Sequence, residues 1–96
     1  MTITLDTQIS IPEAIYTQEV DDETILLDVE SGKYFGLDPV GTRMWQLLRQ
    51  HGLLHTVYET ILAEYEVTPE RLETDLIALA EKMVEKGLAE IKKDTE

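Results

Sequence analysis

His51 and His55 stand four residues apart in QHGLLHTVYE, a spacing that sets two imidazoles on one face of a helix, where they can share a metal ion. Gly52 falls between them and interrupts such a helix, and no third ligand is spaced to join them. The pair therefore reads as interhelical loop histidines. The only serines are Ser10 and Ser31. Neither has His and Asp partners at a spacing that would activate its hydroxyl, and Ser31 belongs to a Ser-Gly turn. The acidic groups Asp21-Asp22-Glu23 and Glu59, Glu64, Glu66 lack the Asp-x-Asp-x-Asp-Gly order of a calcium loop, so solvated faces explain them. The five glycines are dispersed, and none forms a phosphate-cradling loop. With no cysteine there is no thiolate ligand, no cysteine nucleophile and no disulfide. The expectation is a chain that is not an enzyme and that uses no metal or cofactor.

Composition narrows what remains. Ninety-six residues suit one domain with a modest core, too small for the deep cleft in which most enzymes bury a substrate. Twenty acidic groups against eight basic ones give a net charge of -12, which repels phosphate backbones and disfavours nucleic acid as a partner. The charge is spread evenly: residues 1–58 carry nine acidic and three basic groups, residues 59–96 eleven and five. The opening MTITLDTQISIPEA has no basic region and no long apolar core, so neither a signal peptide nor a membrane anchor is expected, and a cytoplasmic location is.

The elements that must position any site follow from pattern. Residues 1–13 read as a loosely held arm able to add a short edge strand, residues 14–91 as the folded domain and residues 92–96 as a fraying tail. IYTQEV is a strand, and Asp21 to Glu23 reverse the chain. TILLDVE is a second strand, with Ile25, Leu27 and Val29 assigned to the core face and Leu26 and Asp28 to the other. Ser31-Gly32 makes a two-residue connection to a third strand, KYFGL. Asp38 and Pro39 then supply the N-cap and first position of a helix carrying Val40, Met44, Trp45, Leu47 and Leu48, which Gly52 ends. Thr56 and Glu59 form a capping box for a second helix. Thr68 and Pro69 open a third, which Gly87 ends, and LAEI after it can add a brief strand. The predicted class is α+β: a three-stranded antiparallel sheet followed by three helices.

Such a sheet has two edges, and the order of the strands predicts KYFGL as an outer one, with backbone groups free to template a guest strand. The competing reading is that Lys33 and the shortness of the strand merely protect the edge. On the third helix the apolar arc is about 160° wide, more than one docking stripe needs. If Leu72, Leu76 and Leu79 border a groove beside the third strand, an extended peptide can pair with the strand and press side chains on the helix, with Asp75 and Lys82 flanking it. Taken singly, each of these leucines reads more readily as ordinary core. The same open edge also allows a homodimer.

ILLDVESGKYFGLDPVGTRMWQLL, followed by EYEVTPERLETDLIALAEKMVEKGLAEI, resembles the PqqD-like family from about Ala14 to Ile91. The resemblance rests on Ser31-Gly32-Lys33-Tyr34-Phe35, Leu37-Asp38-Pro39-Val40-Gly41, Trp45, Asp75 and Lys86-Gly87-Leu88 in that order. It implies a winged-helix-like, non-catalytic recognition element for ribosomally made, modified peptides. The leader of a precursor peptide would add as a strand beside Lys33, Tyr34, Phe35, Gly36 and Leu37. Leu72, Asp75, Leu76, Leu79 and Lys82 would form the helical wall. The strand is most similar to free-standing members of lasso-peptide pathways, which implies a leader protease and a cyclase as partners. Second comes the namesake role in pyrroloquinoline quinone synthesis beside a radical SAM enzyme. A winged-helix DNA-binding role is weakened by the third helix, where five acids stand against three basic groups from Pro69 to Lys86. A subunit that only docks on an enzyme is the remaining class.

Overall fold

Asp38-Pro39 divides the chain into a sheet half and a helical half. The computed structural model describes residues 2–92, so the expected tail lies outside the described residues from residue 93 on. The strands are β1 (Ile9–Ser10), β2 (Ile15–Val20), β3 (Glu23–Asp28) and β4 (Lys33–Leu37). The helices are α1 (Pro39–His51), α2 (Leu54–Glu64) and α3 (Pro69–Glu85), and β5 (Glu90–Ile91) follows. β2, β3 and β4 form one antiparallel sheet in that order, and β1 pairs with β5 in a separate two-stranded ribbon. This is the α+β arrangement expected, three strands and then three helices.

The two faces of β3 are the reverse of the assignment made from its sequence. Leu26 and Thr24 are fully buried, whereas Ile25 is 48% and Val29 58% exposed. Both faces of TILLDVE carry apolar side chains, so a period of two cannot choose between them. The choice falls to the partners: Leu26 lies opposite Phe35 and Thr24 opposite Leu37, and that face packs under α1. The hairpin also differs from the expected two-residue connection. Val29 to Gly32 form a four-residue loop in which the Gly32 N–H donates to the Asp28 carbonyl at 2.8 Å, and the Glu30 N–H to the Asp28 carboxylate at 3.0 Å. Asp28 thus ends the strand early, and Gly32 takes the positive φ of 77° that closes the loop.

The helix boundaries follow their caps. The Asp38 carboxylate accepts the Gly41 N–H at 2.7 Å, and the Thr68 hydroxyl accepts the Arg71 N–H at 3.3 Å, each beside an N1 proline. α2 departs from expectation: it starts at Leu54, two residues before Thr56, and no side chain caps it. Its first N–H donates instead to the Thr7 carbonyl at 3.1 Å. The Ile9 N–H in turn donates to the Gly52 carbonyl at 2.8 Å. Backbone from the N-terminal segment therefore replaces the expected capping box.

That segment is also held more firmly than a loose arm. Ile3 and Ile9 are buried, and the Lys92 N–H donates to the Gln8 carbonyl at 2.8 Å, joining the two ends of the described chain. The core they complete centres on Trp45, Leu48, Leu54, Ile61, Leu76 and Met83, all nearly inaccessible. α1 and α2 are further tied by a two-pronged pair in which Arg43 donates to the Glu64 carboxylate at 2.9 and 2.6 Å. This hydrogen bonding holds the Glu64 carboxyl below its ordinary value and pushes Arg43 up. Among the described residues no helix is long and apolar enough to cross a membrane.

Candidate functional site

β4 is the outer strand of its sheet, so alternate N–H and C=O groups along Lys33–Leu37 point away from β3. α3 runs beside this free edge. Its core side is the line Leu72, Leu76, Ala80 and Met83, all buried. The adjacent line, Asp75, Ala78, Leu79 and Lys82, has the i, i+3, i+4, i+7 spacing of one helical face. It lines the space between α3 and β4.

That space is a trough of three adjoining depressions. One of about 660 Å³ is lined by Lys33, Tyr34 and Phe35 from β4 and by Glu85, Lys86 and Leu88 from the end of α3. It shares Phe35 with a central one of about 240 Å³, where Gly36 and Leu37 face Ala78, Leu79 and Lys82. Asp38, Gly41, Ala78 and Leu79 continue into a third of about 710 Å³, bounded by Val40, Val67, Arg71 and Asp75. The Lys82 ammonium lies 5.7 Å from the centre of the Phe35 ring and bridges the trough. Asp75 accepts from Arg71 Nε at 3.2 Å. Gly36 leaves the middle of the edge bare, since a Cβ there would meet nothing within 4 Å.

Eight of the ten residues singled out from the sequence line the trough: all five of β4 together with Asp75, Leu79 and Lys82. Leu72 and Leu76 do not. They are buried in the core one helical face away. Ala78, Leu88, Val40 and Val67 line the trough and were not singled out. Ala78 was within reach of helical spacing, lying three residues from Asp75 and four from Lys82. Val40 and Val67 were not, because one starts α1 and the other lies between α2 and α3, and only the tertiary fold brings them to one depression.

His51 lines a separate depression of about 500 Å³ with β1, whereas His55 pairs with Glu59 at 3.4 Å on α2. Among the described residues no group of three or more His, Cys, Asp or Glu could hold a metal ion. What the trough offers is an unpaired strand edge beside an apolar wall rimmed by charge, which is the geometry of a receptor for an extended segment.

No curated protein matches this chain. The solved structure of TbiB1 in complex with the TbiA(beta) leader peptide is 33% identical, with a TM-score of 0.79, covering 91% of this chain and 99% of that one. A lasso peptide synthetase B1 complexed with the leader peptide is 28% identical, with a TM-score of 0.77, covering 85% and 96%. The family model of coenzyme PQQ synthesis protein D matches residues 23–89, which take in the sheet edge, all three helices and the whole trough. On that match the chain belongs to the PqqD family.

Proposed function

We propose that this chain binds the leader of a ribosomally made precursor peptide as an added strand along β4, with alternate guest side chains pressed against α3. The observation that carries the reading is the free edge of Lys33–Leu37 opening on a trough walled by Ala78, Leu79 and Lys82. Two similar chains solved with leader peptides support it. Four or five added backbone hydrogen bonds at about 0.5–1.5 kcal/mol each, with two buried side chains at about 1.5–3 kcal/mol each, exceed an association cost of several kcal/mol and yield micromolar or tighter binding.

In this reading the protein is a non-catalytic carrier acting in the cytoplasm. It delivers the leader and its attached core peptide to a separate protease and cyclase of the lasso type. The family's namesake role, beside a radical SAM enzyme, is the second reading, favoured by the family match itself. The test is to titrate the leader encoded beside this chain's gene into the isotope-labelled protein and follow its amide resonances. Saturable shifts in Lys33–Leu37 and in Ala78–Lys82 are expected. Unmoved β4 amides at millimolar leader would overturn the proposal. Binding to a DNA duplex at physiological salt, or only to an intact enzyme, would point to the other classes.

A further inference from the structure

Strand addition leaves open which guest is taken and in which register, and the charges of the trough bear on both. This inference rests on the reading just given. In a chain with 20 acids and eight basic groups, a group of three lysines stands out. Lys33 and Lys86 line the depression at one end of the trough and Lys82 the central one, and the two depressions share Phe35. None of them has a carboxylate within ion-pair distance among the described residues. Of the two acids at the same end, Asp28 lies opposite Lys33 in the sheet and accepts the Glu30 N–H at 3.0 Å, and Glu85 is exposed.

The opposite end differs. Asp38 is engaged by the Gly41 N–H at 2.7 Å and Asp75 by Arg71 at 3.2 Å. Around Phe35 three lysines outnumber Asp28 and Glu85, whereas at the other end Asp38 and Asp75 outnumber Arg71, so the trough is polarised with its cationic end at Phe35. The acidic remainder of the surface repels an acidic guest, which sharpens the attraction to this one place.

We propose that the guest carries an Asp or Glu that seats among Lys33, Lys82 and Lys86, and that this contact sets the register and direction of the added strand. The contact of Lys82 with the Phe35 ring holds the ammonium over the edge strand, and it has three N–H donors to offer. From Asp75 to Lys82 is seven residues of helix, about 10.5 Å at 1.5 Å per residue, which matches about three residues of extended guest. A slip by one residue turns every guest side chain to the other face, and apolar packing alone rejects it. A slip by two keeps the faces but moves the carboxylate about 7 Å from its lysines, beyond ion-pair reach. Charge thus discriminates between the registers that apolar contacts tolerate.

The test is affinity selection of a displayed library of random 16-residue peptides on the full chain, followed by amide-shift mapping of the selected peptides. Enrichment of one acidic position among peptides that move the Lys33–Leu37 amides is expected. Changing that residue to its amide should weaken binding about 3- to 10-fold at low salt and less at high salt. Selection on the Lys82→Glu, Lys86→Glu double variant should switch the enriched position from acidic to basic. Peptides that move β4 without acidic enrichment would overturn this inference alone. Failure to select any peptide that moves β4 would overturn the strand-addition reading with it.

Discussion

The Lys82 ammonium stands 5.7 Å from the centre of the Phe35 ring, so a cation on α3 rests against the edge strand that a guest must pair with. Phe35 is half-buried and lies opposite Leu26, with its ring on the core side of the sheet. The contact is partly exposed, which limits it to about 0.5–1 kcal/mol. In the Phe35→Leu variant the Lys82 side-chain proton resonances should lose their ring-current shift, and urea unfolding should show a loss that includes this amount. Unchanged Lys82 resonances would mean that the ring and the ammonium do not meet in solution.

Leu76 and Leu79 are three residues apart on α3 and belong to different environments. Leu76 is fully buried, and Leu76→Ala should cost about 2–5 kcal/mol of stability by opening a cavity. Leu79 is half-buried in the trough wall. Leu79, which also touches the core, should lose clearly less stability than Leu76 on truncation, and Leu79→Ala should bind leader more weakly by about 1–2 kcal/mol. Equal losses of stability would place Leu79 in the core instead.

Thr24 is fully buried opposite Leu37, and its hydroxyl has no hydrogen-bond partner among the described residues. A polar group dried without a partner is destabilising, and valine matches threonine in shape. Thr24→Val should therefore raise stability by about 1 kcal/mol, read as a higher urea midpoint at unchanged slope. A lower midpoint would reveal an acceptor or a bridging water at that hydroxyl.

Arg43 and Glu64 join α1 to the end of α2, and their hydrogen bond holds the Glu64 carboxyl below its ordinary value. Because the folded pKa lies below the unfolded one, the pair's stabilisation is fully present above the ordinary carboxylate range. It is lost as pH falls through the depressed folded value. The stability gap between wild type and Arg43→Met should accordingly close on acidification, and the Glu64 resonance should titrate at higher pH in the variant. Both groups are about one-third exposed, so added salt should also narrow the gap.

What the residues determined by themselves was local. Asp38-Pro39 and Thr68-Pro69 start helices, and Gly52 and Gly87 end them, because caps, fixed φ and left-handed glycines act within one turn of chain. The order of strands and helices followed, and with it the expectation that KYFGL is an edge. Matters resting on contacts distant in sequence were decided by tertiary structure. Leu26 rather than Ile25 faces inward because α1 covers that side of β3. α2 begins at Leu54 because Thr7, nearly fifty residues earlier, offers its carbonyl there. The division of the α3 leucines follows the same reason. Periodicity lays Leu72, Leu76 and Leu79 along one broad apolar arc, and only the position of β4 beside α3 turns Leu79 to the trough while the core keeps the other two.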